Sequence, residues 1–462
     1  MKNMTLRRMA EACGGRLSGN ENEWDQEICS ITTDSRKAEP GCLFAAIPGA
    51  RVDGHDFIPG VLEKGALGVI SEKEPEALKM PDSCCPNVIV VESTLQALKK
   101  LARYYLEQLE IKVVGITGSV GKTSTKEMIA AVLSQKYRTL KTLGNFNNEL
   151  GLPLTVFRIR EEDEIAVLEM GISNFGEMHR LAEIARPDTC VITNIGQCHL
   201  EFLGDRDGVL RAKSEIFDFL KEDGHIILNG DDDKLETIRE VKGIRPVFFG
   251  LDADSDIYAD RIEKKGLDGI SCRIHAQGKA FDTLIPIPGL HMVYNALAGT
   301  AVGLQYGLSL EEIKAGIESL QPVSGRFHII TADRCTVIDD CYNANPISMK
   351  ASLGVLQDGI GRKVAILGDM GELGPEEKEF HRQVGEYAGT LALDVCICVG
   401  PLCENMADGI RAVNPQMKVI WMENLQELLK QLGHMVKQGD TVLVKASHFM
   451  HFEKVVEKLT CI

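Results

Sequence analysis

The segment that most limits how this chain folds is glycine-rich and reads Gly115-Ile116-Thr117-Gly118-Ser119-Val120-Gly121-Lys122-Thr123-Ser124. The apolar run 111–116 predicts a buried strand, and residues 122–135 have the pattern of a helix. A small-residue turn between them lets backbone N–H groups face phosphate oxygens, and the helix N-terminus adds about half a positive charge. Lys122 would reach the β- and γ-phosphates, and the Thr123 hydroxyl would bind Mg²⁺. The segment therefore predicts a phosphate loop that binds a nucleoside triphosphate.

This motif departs from the usual Walker pattern at one position, where Ile116 replaces the first glycine and glycines stand at 115 and 118 instead. A plain glycine-rich turn followed by a lysine that starts a helix is the alternative interpretation. The agreement of strand, Gly-Lys-Thr and helix favours the phosphate loop. Kinases, GTPases and ligases share such a loop, so it does not identify the reaction.

The arrangement of apolar runs along the 462 residues predicts three α/β domains, since a domain averages about 150 residues. A smaller N-terminal α/β domain is expected over 1–108, and a central domain with a P-loop ATPase-type parallel sheet over 109–322. Within it, the short alternating runs of 256–288 predict an antiparallel flap. Residues 321–325 read as a linker to a Rossmann-like, doubly wound C-terminal domain over 323–462.

Composition excludes several classes of protein. Lysine and arginine number 51 against 67 acidic residues, a formal charge of −16, which disfavours general nucleic-acid binding. No stretch approaches the roughly 18 apolar residues of a membrane span, and the N-terminus lacks the apolar part of a secretory signal. The 14 cysteines are scattered, without a Cys-x-x-Cys pair, and are expected to be buried reduced thiols. We therefore expect a cytoplasmic protein.

Three further segments carry residues suited to metal or phosphate chemistry. Glu169 ends a predicted strand, where it could bind Mg²⁺, although a solvated glutamate is the alternative. His199 follows another strand and could be a metal ligand, but a lone histidine more often has a structural role. Lys213, in Ala-Lys-Ser-Glu, would by itself be interpreted as a surface cation.

Taken together, these segments occur in the order seen in the Mur ligase family, cytoplasmic ATP-dependent ligases that build the peptide of bacterial cell-wall precursors. The resemblance spans essentially the whole chain. Within the family, the chain is most similar to members that join D-alanyl-D-alanine to UDP-N-acetylmuramoyl-tripeptide. Three segments indicate that similarity: Asp339-Asp340-Cys341-Tyr342-Asn343-Ala344-Asn345-Pro346, Leu367-Gly368-Asp369-Met370 with Glu372-Leu373-Gly374, and Asn145-Phe146-Asn147-Asn148-Glu149-Leu150-Gly151-Leu152-Pro153.

The resemblance implies a role for each matching position. UDP would be held by the N-terminal domain through Thr33, Asp34, Ser35 and Arg36, and the sugar-peptide would be contacted by Asn145, Asn147 and Asn148. ATP would be bound by the loop residues Thr117, Gly118, Ser119, Val120, Gly121, Lys122, Thr123 and Ser124, with Asn295 at the adenine, Arg326 at a phosphate and Asp340 at the ribose. An ordinary turn at 32–36 and a solvated Arg326 are the alternatives.

Metal ligands implied by the resemblance are Thr123, Glu169, His199 and Lys213, and the catalytic residues would be Lys122, Lys213 and His199. A charged lysine would be repelled by Mg²⁺, but a neutral lysine can add CO₂ and become a carbamate with two oxygens. Nearby cations lower the pKa of the amine and favour that reaction. The alternative for Lys213 is a surface ion pair with Glu215 or Asp218.

Two places depart from the family pattern. The family usually has Lys-Gly-Ser-Arg-Gly-Met where this chain has Lys445-Ala446-Ser447-His448-Phe449-Met450. Lys445 is kept as a cation near phosphate, whereas any contact made by the family's arginine must be lost or altered. Met292 stands where the family more often has asparagine.

The implied reaction uses ATP and Mg²⁺ to phosphorylate the terminal carboxylate of UDP-N-acetylmuramoyl-tripeptide, after which the amine of D-alanyl-D-alanine attacks the acyl phosphate. This places the protein in peptidoglycan synthesis, hence in cell shape and division, and we expect a monomer. One alternative is a ligase of the same family that adds a single amino acid, such as diaminopimelate or lysine. Another is a P-loop regulator that uses ATP as a switch.

Overall fold

The computed structural model describes residues 1–49, 52–78 and 86–461 and contains a β-sheet in each third of the chain. The N-terminal sheet has the order β1-β5-β4-β3-β2, with β1 antiparallel to β5 and the other pairs parallel. Its strands are β1 (Arg16–Ser18), β2 (Ile31–Thr32), β3 (Leu43–Ala45), β4 (Gly68–Ser71) and β5 (Val88–Val90), and its helices α1 (Leu6–Cys13), α2 (Ile58–Glu63) and α3 (Thr94–Glu107).

Helix α3 joins this region to the next. The side chain of Ser93 caps its N-terminus by accepting a hydrogen bond from the N–H of Gln96. Its buried face belongs to an apolar core that contains residues of both the N-terminal and the central regions. The hydroxyl of the buried Tyr105 donates to the carbonyl of Ile159, 2.7 Å away, which satisfies a polar atom inside that core.

The central sheet has the order β14-β13-β12-β11-β10-β9-β6-β8-β7. The strands from β7 to β12 are parallel, and β12, β13 and β14 form the predicted antiparallel flap. The strands are β6 (Lys112–Thr117), β7 (Thr139–Lys141), β8 (Ile165–Glu169), β9 (Thr189–Ile192), β10 (His225–Asn229), β11 (Val247–Gly250), β12 (Ile257–Lys264), β13 (Ile270–Ala276) and β14 (Lys279–Ile285). The helices are α4 (Lys122–Leu133), α5 (Gly151–Val156), α6 (Glu177–Ala185), α7 (Leu200–Leu203), α8 (Arg206–Ser214), α9 (Leu290–Gln305) and α10 (Leu310–Glu318).

The C-terminal sheet has the order β15-β16-β20-β17-β18-β19, all parallel except β15. Its strands are β15 (His328–Thr331), β16 (Cys335–Asp339), β17 (Lys363–Gly368), β18 (Val395–Val399), β19 (Lys418–Met422) and β20 (Asp440–Lys445). Its helices are α11 (Pro346–Leu356), α12 (Glu377–Gly389), α13 (Cys403–Val413), α14 (Leu425–Met435) and α15 (Glu453–Thr460). Three α/β units are therefore present, as predicted; the boundaries at 108–109 and 322–323 stay predictions.

This topology positions the site, because the carboxyl ends of parallel strands carry the ligand-binding loops. The carboxyl ends of β6, β8 and β9 lead into the glycine-rich loop, Glu169 and Asn194, and those of β16 and β20 lead to Asp340 and Lys445. Residues from both groups line one cavity. Among the helices of residues 1–49, 52–78 and 86–461, none combines the length and apolar character needed to cross a bilayer.

Candidate active site

The glycine-rich loop connects β6 to α4 and is held in shape by the end of β9. Gly118 has φ 150°, and a Cβ there would lie 1.9 Å from the hydroxyl oxygen of Thr193, so a side chain does not fit. Gly121 has φ 82° and precedes α4. The N–H of Val120 donates to Oδ1 of Asn194, 2.9 Å away, and the Thr193 hydroxyl donates to the carbonyl of Val120 at 2.7 Å. The loop therefore has a fixed, open backbone before α4.

Lys122 begins α4 and is folded back over the loop. Its Nζ donates to the carbonyl of Gly118 at 2.9 Å and to that of Ser119 at 3.5 Å. Burial among surrounding protein atoms lowers the pKa of Lys122. The negative charge of Glu169 opposes this shift, and the positive charge of Arg326 adds to it. A phosphate would offer this lysine stronger, charged acceptors than the two carbonyls it now contacts.

Glu169 lies at the end of β8 and is 1% exposed. Its Oε1 accepts hydrogen bonds from the Thr123 hydroxyl at 3.2 Å and from Nδ2 of Asn147 at 2.8 Å. Its Oε2 has no hydrogen-bond partner within the described parts of the chain, although Nζ of Lys126 lies 3.8 Å away. Leaving a buried carboxylate oxygen without a donor is costly, and hydroxyl and carboxylate oxygens suit Mg²⁺. The residues present therefore fit a divalent cation.

Lys213 lies on α8 and is also 1% exposed. Its Nζ makes neither a hydrogen bond nor an ion pair with any residue that the structure describes. Burial lowers the pKa of Lys213 to about 8; Cys198 opposes that shift and Lys122 adds to it. A buried lysine with this environment holds an appreciable neutral fraction near neutral pH, which is the form that reacts with CO₂.

The surface ion pair considered for Lys213 is absent from the described structure, and its two candidate partners are occupied elsewhere. Glu215 accepts hydrogen bonds from the backbone N–H groups of Gly176 and His179, each at 3.1 Å. Asp218 lies 2.6 Å from Nδ1 of His179. The interpretation of Lys213 as a surface cation is therefore wrong.

His199 adopts the left-handed conformation, with φ 52°, at the start of α7. Its Nδ1 lies 2.6 Å from Oε2 of Glu372, which belongs to the C-terminal region. This histidine is the main reason that the pKa of Glu372 is below its usual range, while burial opposes the shift. The contact bridges two domains, and the role of His199 as a metal ligand stays a prediction.

A cavity of about 570 Å³ opens between the central and C-terminal domains. Most residues that the resemblance assigned to ATP line it, namely Ser119, Val120, Gly121, Lys122, Thr123, Ser124, Asn295, Arg326 and Asp340. Thr117 and Gly118 lie in the loop but not among the lining residues. The cavity thus brings together residues from positions 119 to 445 of the sequence.

On the C-terminal side of the cavity, Asp340 is engaged by neighbouring side chains. Nζ of Lys445 lies 2.6 Å from its Oδ2, and the Ser352 hydroxyl donates to the same oxygen at 2.6 Å. Asp340 and Lys445 are both buried. This ion pair explains why Lys445 is tolerated in the interior. The other carboxylate oxygen of Asp340, Oδ1, accepts a longer hydrogen bond, from the N–H of Phe327 at 3.3 Å, and is therefore the less engaged of the two.

Arg326 is held above an aromatic ring. Its guanidinium carbon lies 4.2 Å from the ring centroid of Tyr342, and the ring of His448 packs against Tyr342 with centroids 5.4 Å apart. Cation–π contact of this kind fixes the direction of a guanidinium group. His448, which departs from the family pattern, therefore packs against the ring of Tyr342 that holds Arg326, the residue predicted to bind phosphate.

Asn295 lies on α9 and is buried. Its Oδ1 accepts from the Thr125 hydroxyl at 2.8 Å, and its Nδ2 donates to Sδ of Met292 at 3.3 Å. The thioether at position 292 thus supplies a weak acceptor for the Asn295 amide. Both contacts fix the amide at the wall of the cavity, and its role toward adenine stays a prediction.

The loop predicted to contact the sugar-peptide joins β7 to α5, and its asparagines do different things. Asn147 reaches Glu169, whereas Oδ1 of Asn148 accepts from the N–H of Gly151 at 2.8 Å and so supports the start of α5. Asn145 lies close to Tyr342. The loop therefore contacts both the candidate cation site and the C-terminal domain.

The residues predicted to bind UDP lie beyond β2 of the N-terminal sheet. Asp34 caps a 3₁₀ turn at Ser35–Lys37 by accepting from the N–H of Arg36 at 3.0 Å, and it also pairs with the Arg36 guanidinium at 2.8 Å. Hydrogen bonds from Arg36 lower the pKa of Asp34 to about 2. The Arg36 side chain is 87% exposed, and Thr33 is half-buried.

Sequence reasoning missed two buried lysines, Lys126 and Lys99, and the charged residues that contact them. Lys126 is 1% exposed and lies beside Glu127 and Glu169. Lys99 and the partly exposed Arg180 both pair with Glu149, which holds the end of the loop between β7 and α5. Helical periodicity could not find them, because charged residues on a helix are normally predicted to face solvent.

A second polar cluster in the C-terminal domain is structural. In the described residues, Asp369, His381 and Cys403 form the one group of His, Cys, Asp or Glu donors close enough to share a metal ion. However, Asp369 accepts from the N–H of Cys403 at 2.8 Å. Nε2 of His381 accepts from the N–H of Met370 at 2.9 Å, and its Nδ1 lies 2.6 Å from the carbonyl of Glu377. Both ring nitrogens of His381 are therefore already engaged, which leaves this residue no free lone pair for a metal.

His381 gives a pH prediction. Burial lowers the pKa of His381, and protonation of Nε2 would remove the bond from Met370. As pH falls below about 6.5, the unfolded chain takes up this proton before the folded chain does, so stability falls with pH. We expect His381→Gln to lower the thermal midpoint near neutral pH and to reduce its dependence on pH between about 7.5 and about 5. Circular dichroism melts of both proteins measure this; parallel pH profiles would contradict it.

Comparison with known proteins agrees with this geometry. Three family models match: "Mur ligase family, catalytic domain" over residues 27–106, "Mur ligase middle domain" over 116–303, and "Mur ligase, glutamate ligase domain" over 325–448. The chain is 37% identical to the UDP-N-acetylmuramoyl-tripeptide–D-alanyl-D-alanine ligase of Bacillus subtilis, with 98% of each chain covered. It is 36% identical to the protein of the same name from Escherichia coli, with 99% of each covered.

Solved structures show the same similarity. MurF from Acinetobacter baumannii superimposes with a TM-score of 0.87 at 34% identity, covering 99% of both chains. MurF ligase from Thermotoga maritima, in complex with ADP, gives 0.80 at 32% identity, covering 94% of this chain and 97% of that one. With family models over most of its length and full-length relatives above 30% identity, the chain belongs to the Mur ligase family of ligases.

Proposed function

We propose that this chain joins D-alanyl-D-alanine to UDP-N-acetylmuramoyl-tripeptide, with ATP converted to ADP and phosphate. Full-length relatives at 36% and 37% identity carry the name of that reaction, and a structural relative binds ADP. The observation that carries the proposal is a phosphate loop that lines the cavity between two domains, with the buried Glu169 hydrogen-bonded to its Thr123 and the buried Lys213 near enough to its Lys122 to be affected by that charge. The reaction belongs to peptidoglycan synthesis, and we place the enzyme in the cytoplasm.

Each domain has its own part in this proposal. Residues 1–108 would hold UDP through Thr33, Asp34, Ser35 and Arg36, and residues 109–322 would bind ATP at the phosphate loop. Residues 323–462 would close over the nucleotide with Arg326 and Asp340 and present the dipeptide. The loop that carries Asn145, Asn147 and Asn148 would meet the sugar-peptide carboxylate, and the contact of Asn147 with Glu169 supports this role.

The chemistry follows from the weakness of a carboxylate as an acyl donor. One oxygen of the tripeptide carboxylate attacks the γ-phosphorus, the bond to the bridging oxygen breaks, and ADP leaves. The dipeptide amine then attacks the carbonyl carbon of the acyl phosphate, loses a proton, and phosphate departs from the tetrahedral intermediate. Lys122, Arg326 and the loop N–H groups line the cavity and would stabilise charge on the phosphoryl oxygens.

A divalent cation fits this site. Thr123 and Glu169 would supply oxygen ligands, and we propose that Lys213, as a carbamate, would supply a further anionic one. When bound, Mg²⁺ would reduce the charge on the transferring phosphoryl group. The carbamate forms when the neutral amine adds to CO₂ and releases a proton. The burial of Lys213 without a partner, and its pKa of about 8, support this assignment.

The acyl phosphate must be kept from water, so closure of the central and C-terminal domains is expected. His199 and Glu372, 2.6 Å apart, already connect the two domains. Their pairing would hold the closed arrangement while the amine attacks. This gives His199 a positioning role in addition to the metal role that the resemblance implies.

Release of phosphate tests the proposed reaction. Purified protein with ATP and Mg²⁺ is expected to release phosphate only when UDP-N-acetylmuramoyl-tripeptide and D-alanyl-D-alanine are both present. Release that requires diaminopimelate or lysine instead of the dipeptide would favour the other ligase. Release with ATP alone, unaffected by either substrate, would favour a P-loop switch.

The departure at position 448 gives a further prediction. His448 packs on Tyr342, and an arginine side chain could stack on the same ring. We therefore expect His448→Arg, which restores the family pattern, to change kcat/KM by less than about tenfold. Steady-state kinetics at saturating ATP measure the change. A gain well above that would show that the present loop limits the enzyme.

A further inference from the structure

The side chain of Lys126 is buried within the candidate cation site. It lies on α4, one turn after Lys122, and is 1% exposed. Its Nζ is 3.1 Å from Oε1 of Glu127 and 3.8 Å from Oε2 of Glu169. A buried ammonium group requires such compensation, because its removal from water is unfavourable.

Glu127 does not balance Lys126 alone. Its second oxygen, Oε2, pairs with Nζ of Lys141, the last residue of β7. Lys126, Glu127 and Lys141 together therefore carry one net positive charge. The nearest carboxylate that can balance that charge is Glu169, whose Oε2 has no hydrogen-bond donor in the described residues.

The same carboxylate is the proposed ligand of the divalent cation, so Lys126 and the cation would oppose one another. At a few ångströms, in surroundings less polar than water, repulsion between a lysine and a divalent ion is strong. We propose that Lys126 is a positioning residue that neutralises Glu169 in the nucleotide-free enzyme and weakens binding of a divalent cation until a triphosphate is present. The cation then enters together with the nucleotide, whose phosphates supply the missing negative charge.

This inference rests on the proposed function, since it takes Glu169 as a cation ligand. It makes opposite predictions for two substitutions. Lys126→Met removes the competing charge and leaves Glu127 paired with Lys141, so the nucleotide-free protein should bind a divalent cation more tightly. Glu127→Gln leaves Lys126 with Glu169 as its one carboxylate partner, so binding should weaken. If Lys126 and Glu127 had only a structural role, both variants would bind the divalent cation more weakly.

The experiment measures Mn²⁺ binding to the full chain, without nucleotide, by electron paramagnetic resonance. We expect Lys126→Met to bind Mn²⁺ at least about tenfold more tightly than the wild type, and Glu127→Gln to bind it more weakly. Lys136→Met, at an exposed lysine beyond the end of α4, is the matched control and should leave the affinity unchanged. Circular dichroism melts establish that each variant is folded.

Unchanged or weaker Mn²⁺ binding by a folded Lys126→Met protein would overturn the inference. If Lys126→Met does not fold, Glu127→Gln alone provides the test. Unchanged or tighter Mn²⁺ binding by Glu127→Gln would then overturn the inference. Ligation assays distinguish a failure of this inference from a failure of the proposed function. Wild-type ligation of D-alanyl-D-alanine together with equal Mn²⁺ affinities contradicts the inference and supports the function. The expected order of Mn²⁺ affinities without any ligation supports the inference and contradicts the function.

Discussion

Replacing Lys122 with alanine is expected to abolish ligation, with a loss of about a thousandfold or more in kcat/KM. Its Nζ lies on the carbonyls of Gly118 and Ser119, from which it can turn toward a phosphoryl group. Removing it takes away a cation that is expected to stabilise the charge developing during phosphoryl transfer. Stopped assays that follow phosphate release and product formation together measure this loss.

Binding of the UDP substrate serves as the control for this variant. The nucleotide and UDP sites are proposed to lie in different domains, so Lys122→Ala should still bind UDP-N-acetylmuramoyl-tripeptide with nearly wild-type affinity in calorimetry. Loss of that binding would indicate a folding defect rather than a catalytic one. Ligation comparable to the wild type would contradict the assignment of the phosphate loop.

The second large effect is expected at Lys213. Lys213→Ala should lose about a hundredfold or more in ligation rate, because an anionic ligand of the cation site disappears. The substitution also leaves a buried space beside the site, since the lysine is 1% exposed. Acetate or another small carboxylic acid should enter that space and restore part of the activity in proportion to its concentration.

A bulkier substitution provides the matched control. Lys213→Arg cannot form the carbamate and fills the space, so it should be inactive and should not respond to acetate. Near wild-type ligation by Lys213→Ala at low Mg²⁺ would show that the carbamate role is wrong. Equal rescue of alanine and arginine variants would show that acetate acts elsewhere.

Much of the fold could be predicted because the parallel strands are buried on both faces and form continuous apolar runs. The apolar run 111–116 corresponds to most of β6, and the helical pattern of 122–135 corresponds to α4. By contrast, β15 has only half-buried or exposed residues, so its weak pattern gave no prediction. The pairing of β1 with β5 joins short strands far apart in sequence, which periodicity cannot indicate.

The site was predictable where its residues follow one another along the chain. The phosphate loop has a local signature, and Glu169 ends a recognisable strand. The contacts between distant segments could not be derived, such as Asp340 with Lys445 and His199 with Glu372. Lys213 and Lys126 are also buried, and this burial depends on tertiary packing that helical periodicity does not indicate. The chemistry of this site therefore depends on buried charges that the sequence alone presents as surface residues.

Product analysis with a panel of amine acceptors tests the central claim most directly. Four parallel reactions contain the purified chain, ATP, Mg²⁺ and UDP-N-acetylmuramoyl-tripeptide. Each receives one amine acceptor: D-alanyl-D-alanine, D-alanine, lysine or diaminopimelate. Mass spectrometry then measures the masses of the products. We predict a new product with D-alanyl-D-alanine alone, whose mass is the sum of the two substrates less one water. A product with a single amino acid and none with the dipeptide would contradict the account.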